Sequence, residues 1–210
     1  LRYEVEGDNL FLLGGLYYSS TEFDQTDENA VLGTFGTYFE GQYRQEDESL
    51  AGFVHVEWTV SDTWKLTGGI RYSDESRDRK IKQTFIETGF ADFFQSPNLD
   101  FPTTLLVDTD GGGILGPTPF SNEFDTSGWS YRLGLDWTPT DDMLLYYSLS
   151  KGLKSGGFES SIVTSMANLR PIDDEEVLAH EIGIKWDPTD SVRINAAAFY
   201  YDYTEMQQRV

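Results

Sequence analysis

Apolar and polar residues alternate along several short stretches of the chain. In residues 129–137 the apolar positions are Trp129, Tyr131, Leu133, Leu135 and Trp137, and the residues between them are polar or small. A period of two places the two sets on opposite faces of a β-strand. Because the two tryptophans are eight residues apart, they lie about 26 Å apart along the strand at ~3.3 Å per residue. This stretch therefore predicts a strand whose apolar face has an aromatic side chain at each end.

An apolar face of this kind suits two fold classes. In a soluble β-sandwich it packs into a shared core, whereas in a transmembrane β-barrel it faces lipid. On a strand tilted by ~40° the two tryptophans lie roughly 20 Å apart along the membrane normal, close to the ~25 Å apolar band of such barrels. These barrels carry aromatic residues at both rims. The spacing therefore favours the membrane barrel, with the soluble sandwich as the alternative.

The same alternation recurs and divides the chain into about eight strands, one of them partial. The predicted strands cover residues 1–5, 10–22, 49–60, 64–74, 129–138, 143–150, 177–186 and 192–203. Short turns at 6–9, 61–63, 139–142 and 187–190 alternate with long connections at 23–46, 75–125 and 152–175. Short turns on one side and long loops on the other are typical of bacterial outer-membrane barrels. The pattern thus predicts an all-β, antiparallel transmembrane barrel.

Aromatic residues mark both predicted rims of this barrel. Four of the five tryptophans lie within three residues of a short turn, namely Trp58, Trp64, Trp137 and Trp186. We expect these four to form one girdle at the inner, periplasmic interface of the membrane. Tyr72 and Trp129 stand eight residues from Trp64 and Trp137, respectively, and are expected at the outer rim.

The opposite face of the predicted strands points into the barrel lumen. It carries charges of both signs, on Glu57, Lys65, Arg71, Arg132, Asp136, Glu181, Lys185 and Arg193. Ion pairs that face water contribute little to stability, ~0–1 kcal/mol each. We therefore expect this set to contribute little to stability, and a ligand site formed by it is the less favoured interpretation.

Composition narrows the classes of partner and chemistry. The 210 residues include 36 acidic and 15 basic residues, a formal net charge of −21, which argues against nucleic acid because phosphate binding needs a basic face. Cysteine is absent, so neither disulfides nor thiolate metal sites are expected. The chain begins without a charged and apolar leader, and we expect a mature or trimmed chain. No run reaches the ~18 apolar residues of a membrane helix.

Catalytic chemistry has little support in the sequence. The two histidines, His55 and His180, fall on different strands and, by alternation, on opposite faces. A serine hydrolase would need an inward histidine beside a serine, and His55 with Ser148 is the formal candidate. We expect no enzyme activity and no cofactor.

Several strings resemble the TonB-dependent receptors, the plugged outer-membrane transporters of Gram-negative bacteria. Residues 146–158 end in Lys154, Ser155, Gly156, Gly157 and Phe158, similar to the family's Lys-Ser-Gly-Gly-Phe motif. Residues 175–186 are similar to a second family motif through Glu175, Glu181, Gly183 and Lys185. Asp174 stands where the family usually has proline, and His180 where it usually has tyrosine. Residues 68–72 and 194–207 resemble further barrel strands of the family.

The resemblance implies that residues 1–210 are part of one receptor barrel of 22 strands. Neither the family's N-terminal plug domain nor its terminal aromatic strand has a counterpart in the sequence, so the resemblance implies an interior fragment. It also implies active uptake of a scarce, large solute, most often a ferric siderophore, with energy supplied by TonB. The implied partners are outer-membrane lipid, the solute and TonB, and the lumen-facing set would face the plug and the transport path.

Ligand contacts are expected in the three long connections. These connections are acidic and also contain aromatic residues, namely Phe35, Tyr38, Phe39, Phe90, Phe93, Phe94, Phe101, Phe120 and Phe158. The acidic connections disfavour a strongly anionic solute, although residues 77–82 are basic.

Overall fold

The computed structural model describes residues 1–30, 37–87, 106–107, 114–115, 120–158 and 170–208. All named elements in these residues are β-strands. They are β1 (Arg2–Glu6), β2 (Leu10–Ala30), β3 (Thr37–Ser61), β4 (Trp64–Glu87), β5 (Leu106–Val107), β6 (Ile114–Leu115), β7 (Phe120–Thr140), β8 (Met143–Lys154), β9 (Glu175–Thr189) and β10 (Val192–Thr204). No helix in the described part of the chain is long and apolar enough to cross a membrane.

Eight strands form one antiparallel sheet in the order β1-β2-β3-β4-β7-β8-β9-β10, and β5 and β6 pair separately. Strands that are consecutive in the sequence are neighbours in the eight-stranded sheet, except that β4 is followed by β7 because β5 and β6 form their own sheet. This confirms the predicted all-β antiparallel fold with eight strands, of which β1 is short. It also shows that the sandwich alternative is wrong, since the eight strands make one layer and not two packed sheets.

The register keeps the two predicted faces separate across the sheet. Trp64 pairs with Trp137 and Tyr72 pairs with Trp129, while Lys65 pairs with Asp136 on the other face. The apolar set of β7 continues into β8, where Leu133 pairs with Leu149. We call the face with the tryptophans the outer face and the face with Lys65 and Asp136 the inner face.

The sheet curls toward its inner face. Among the described residues, the most buried side chains are Tyr43, Ala51, Arg79 and Ile81, and all four lie on that face. Large apolar side chains on the outer face stay exposed, for example Ile70 and Leu133. The polar face is therefore concave and the apolar face convex, as the barrel prediction requires.

Strands extend into two of the three predicted connections. In the connection 23–46, whose middle at residues 34–43 is expected to be able to extend the flanking strands, residues 23–30 and 37–46 are strand. In the connection 75–125, residues 75–87 and 120–125 are strand, which corrects the predicted bounds, and most of the remainder lies outside the described residues. The β2–β3 ladder continues without a break from Leu10↔Trp58 to Ala30↔Tyr38, and β4 continues to Glu87. Strand β7 begins at Phe120, so residues 120–125 are also strand. The third connection keeps its predicted bounds more closely, because β8 ends at Lys154 and β9 begins at Glu175.

Several expected ligand contacts fall outside the described residues. These are Phe35, Phe90, Phe93, Phe94 and Phe101. Tyr38 and Phe39 lie in β3 and Phe120 opens β7. Phe158 is described and takes part in the site below.

Candidate functional site on the inner face

The lower part of the inner face, near the short turns, holds a compact polar group. The Lys65 ammonium lies 2.5 Å from the Glu57 carboxylate, and His55 Nε2 lies 3.2 Å from the same side chain. Alternation places these residues on one face, and the β3–β4 register brings the two strands together at this height. The Glu57 carboxylate is thus contacted by two side chains, the Lys65 ammonium and the His55 imidazole.

A second group links the family-motif residues of β9 to β8. The Tyr146 hydroxyl donates a hydrogen bond of 2.7 Å to Glu181. Its ring lies over Gly183, where a Cβ atom would come within 2.4 Å of it. A side chain at Gly183 would therefore displace Tyr146 and disturb the hydrogen bond to Glu181.

The remaining predicted lumen residues are spread over the face. Asp136 on β7 is paired in register with Lys65, and Lys185 on β9 with Leu144 and Asn195. Arg193 lies beside the last short turn and donates to both carboxylate oxygens of Asp187, at 2.7 and 2.8 Å. This guanidinium lowers the pKa of Asp187 through its hydrogen bonds.

The middle of the inner face carries two arginines. Arg71 pairs with Phe53 on β3 and with Ser130 on β7. Arg132 pairs with Gly69 and Ser150. Arg71 donates to the Ser73 hydroxyl at 2.9 Å and lies 5.4 Å from the centre of the Tyr17 ring.

The Lys-Ser-Gly-Gly-Phe segment turns inward where β8 ends. The Ser155 hydroxyl donates to Glu75 at 2.5 Å, and Arg77 donates to the Gly156 carbonyl oxygen. Arg77 also donates to Glu75 at 3.2 Å. Because Glu75 and Arg77 are inner-face residues of β4, the segment crosses β7 on the inner side of the sheet.

Both glycines of this segment are required by close contacts. A Cβ atom at Gly156 would lie 1.9 Å from the backbone oxygen of Ile172, and one at Gly157 would lie 2.4 Å from Arg77. Gly157 also has a φ of 152°, which side-chain-bearing residues rarely adopt. Its backbone pairs with Ile172 in both directions, at 3.0 and 2.6 Å. The segment therefore joins the two ends of the 155–174 connection above the inner face.

Asp174 closes this turn, although the resembled motif has proline at that position. Its carboxylate accepts hydrogen bonds from the Gly156 backbone nitrogen, at 2.7 Å, and from the Thr126 hydroxyl. The neighbouring motif residue Glu175 accepts a bond of 2.7 Å from the backbone nitrogen of Gln207. Lys154 pairs with Glu175 in the β8–β9 register.

Phe158 fills a small core above the turn. The Arg79 guanidinium lies 4.3 Å from the centre of the Phe158 ring, and Phe124 packs edge-on against the same ring at 6.3 Å. Arg79 is fully buried and donates to Asn122 at 3.0 Å. Burial lowers the pKa of Arg79, and burial raises the pKa of the nearby Tyr43 phenol, an effect that Arg79 partly offsets.

The β4–β7 register brings the outer-face aromatic residues together in two pairs. The Trp64 and Trp137 rings stack with centres 5.4 Å apart, and the Tyr72 and Trp129 rings lie 4.9 Å apart. These pairs lie eight residues apart along β4 and β7.

The four tryptophans near the short turns step across the sheet. The register links Trp58 on β3 to Leu66 on β4 and then to Leu135 on β7, which is two residues from Trp137. In the same way it links Trp137 on β7 to Leu145 on β8 and then to Ile184 on β9, which is two residues from Trp186. Strands ~4.8 Å apart and tilted by ~40° need a step of about one residue per strand to stay at one height. The offsets have this size, and the girdle itself stays a prediction.

Sequence reasoning missed the residues that hold the motif segment, above all Glu75, Arg77 and Arg79. Continuing the alternation from Arg71 through the expected loop would have placed all three on the inner face.

The structure does not bring together the two residues of the formal hydrolase candidate, since His55 on β3 and Ser148 on β8 are separated by two intervening strands. Among the described residues, no group of three or more histidine or acidic side chains is placed to hold a metal ion.

Known proteins similar to this chain are outer-membrane receptors. The sequence model described as "TonB dependent receptor-like, beta-barrel" matches residues 1–210. The pesticin receptors of Yersinia enterocolitica and Yersinia pestis are each 22% identical over 160 residues, which are 76% of this chain. The chain spans only 19% of the length of these curated relatives.

Two solved structures share the fold. The ferric yersiniabactin uptake receptor FyuA from Yersinia pestis is similar with a TM-score of 0.70 at 18% identity, over 98% of this chain and 28% of that one. The ferric-catecholate import receptor Fiu from E. coli K12 has a TM-score of 0.51 at 13% identity, over 92% and 32% of the two chains. The chain therefore belongs to the TonB-dependent receptor β-barrel family, whose members are outer-membrane proteins of Gram-negative bacteria.

Proposed function

We propose that the whole protein takes up a large, scarce solute across the outer membrane, that this solute is a ferric siderophore, and that TonB supplies the energy. The match of the receptor-barrel family over residues 1–210 carries this proposal. Two relatives of the same fold, FyuA and Fiu, are an uptake and an import receptor for ferric complexes. The protein acts by binding and moving the solute and needs no reaction chemistry.

In this proposal residues 1–210 are part of a single barrel domain and form a stretch of its wall. The outer face contacts lipid, with Trp58, Trp64, Tyr72, Trp129, Trp137 and Trp186 at the two interfaces. The inner face lines the space through which the solute passes or in which a plug sits. The inward turn at Ser155–Phe158 supports this arrangement, because these residues contact Glu75, Arg77 and Arg79 on the inner face of the sheet.

Uptake of radioactive iron tests the proposal. The full-length receptor would be expressed in a Gram-negative strain without other siderophore receptors, and cells would be given ⁵⁵Fe bound to a panel of catecholate, hydroxamate and carboxylate siderophores. We expect at least one complex to accumulate only in cells that carry the receptor, and its uptake to stop when TonB is deleted. Uptake that persists without TonB, or no uptake of any complex, would contradict the proposal.

A further inference from the structure

The chain changes direction directly after β10. Thr204, the last residue of β10, pairs with Glu176, the second residue of β9. Glu205 then adopts a φ of 52°, in the left-handed region that side-chain-bearing residues seldom occupy. A conformation of this kind persists only where surrounding contacts hold it. Contacts that hold the segment are made by Gln207, two residues further along the chain.

Gln207 contacts both ends of the 155–174 connection. Its side-chain nitrogen donates to the Asp173 carbonyl oxygen at 2.8 Å and to the Ser155 carbonyl oxygen at 3.3 Å. A primary amide has two N–H donors, so both hydrogen bonds form together. The backbone nitrogen of Gln207 donates at 2.7 Å to Glu175, the first residue of β9. One half-buried side chain thus bridges the end of β8 and the start of β9.

The two ends of the connection are also bonded to each other. Gly157 and Ile172 exchange backbone hydrogen bonds of 3.0 and 2.6 Å, and the Gly156 nitrogen donates to the Asp174 carboxylate at 2.7 Å. These bonds lie within two residues of the carbonyl groups to which Gln207 donates. Residues 155–157, 172–175 and 205–207 therefore form one continuous hydrogen-bonded group, which we call the clasp.

We propose that Gln207 is a latch that makes the three segments of the clasp loosen as one unit. Loss of its two side-chain hydrogen bonds frees both ends of the 155–174 connection, because each end is held partly through Gln207. Coupling of this kind is reciprocal, so opening of the inward turn also loosens Gln207. A partner that displaces either the connection or the segment after β10 therefore displaces the other. The latch does not depend on which solute the receptor carries.

Hydrogen–deuterium exchange of the full-length receptor in detergent tests the latch. The reporters are the backbone amides of Gly157 and Ile172, which bond each other and not Gln207. In Gln207→Ala both should exchange roughly tenfold faster than in wild type, because the clasp loses two hydrogen bonds. Gln207→Glu should have the same effect, since a carboxylate cannot donate to the two carbonyl oxygens. Gln208→Ala is the matched control and should leave both rates unchanged, because the Gln208 side chain contacts Met206 of its own segment.

The reciprocal arm uses Gly156→Ala, whose methyl group would overlap the Ile172 backbone oxygen. The backbone amide of Gln207 should then exchange faster than in wild type, although Gln207 is some 50 residues away in the sequence. Unchanged rates at Gly157 and Ile172 in both Gln207 variants, or an unchanged Gln207 amide in Gly156→Ala, would overturn the inference. A rise of similar size throughout the β9–β10 ladder would overturn it too, because Gln207 would then stabilise the sheet as a whole.

Discussion

Leu133 and Arg132 are neighbours in the sequence whose side chains meet different surroundings. Leu133 is 54% exposed on the outer face, between Gly68 on β4 and Leu149 on β8. Arg132 points to the concave inner face. Period-two alternation alone predicts this separation, because every residue of β7 between its two tryptophans keeps the pattern. The contrast provides a direct test of which face meets lipid.

We expect Leu133→Arg to destabilise the full-length receptor by about 2–4 kcal/mol, because an arginine near the bilayer midplane has neither water nor a partner. Arg132→Leu should leave barrel stability nearly unchanged. Refolding of both variants into bilayers of increasing hydrocarbon thickness measures the difference. The penalty for Leu133→Arg should grow with thickness, and that for Arg132→Leu should stay flat. If neither depends on the lipid, the lipid-facing assignment of this strand is wrong.

Arg79 shows what residue patterns do not predict. It is fully buried, and a buried guanidinium is costly unless it is paired. Its neighbours come from three separate parts of the chain, Tyr43, Asn122 and Phe158. No local pattern contains such a cluster, since it exists only once β3, β4, β7 and the inward turn are in place.

At the scale of elements, the sequence predicts the membrane-crossing strands better than their extensions. The short turns at 61–63, 139–142 and 187–190 are confirmed, because the strand ends flank them closely. The extensions of β2, β3 and β4 lie where the sequence pattern predicts loops. The physical reason is visible on their outer face, where Glu46 and Asp78 replace the apolar residues of the membrane segment. With water on that side, ladder hydrogen bonds continue although the apolar period disappears.

The inward turn is an element that the sequence locates without revealing its contacts. The resemblance identifies the motif residues Ser155 and Gly156, but their partners Glu75 and Arg77 are about 80 residues away in the sequence. Contacts of this range depend on the sheet order, which places β4 and β8 on either side of β7.

Gly156→Ala should open this turn. The added methyl group would overlap the Ile172 backbone oxygen, and backbone gives way less easily than a flexible side chain. An overpacking cost of about 1–3 kcal/mol would favour local opening and make cleavage of the 155–174 connection roughly tenfold faster. Limited proteolysis of intact cells with mass spectrometry measures the rate.

Gly52→Ala is the matched control, because its methyl group would meet only the Leu16 side chain at an ordinary 3.5 Å. The control should be cleaved at the wild-type rate. Equal rates for Gly156→Ala and wild type would mean that the contacts of Gly156 do not hold the connection in place.

At the scale of the whole molecule, the described part of the chain is mainly one curved layer of eight strands, and its buried apolar side chains are only Tyr43, Ala51 and Ile81. Large apolar side chains cover the convex outer face, and few residues are buried on the concave face. In the described sheet, β1 pairs only with β2 and β10 only with β9. Unpaired strand edges and an exposed apolar face both promote association with other chains.

We therefore expect the 210-residue chain, expressed by itself, not to form a stable monomer in water. Size-exclusion chromatography with light scattering should show aggregates in buffer and discrete particles only in detergent, because detergent covers the outer face. A variant in which Leu66, Ile70 and Leu133 are replaced by threonine should aggregate less, because its outer face exposes less apolar surface. Threonine is chosen because it is β-branched and is well tolerated in strands. Replacing the inner-face Thr67, Gly69 and Arg132 by serine is the comparison, and it should bring no such gain. A cooperatively melting monomer of the unmodified chain in buffer would show that the layer is stable without lipid, and the outer face would then not depend on a membrane or detergent to cover it.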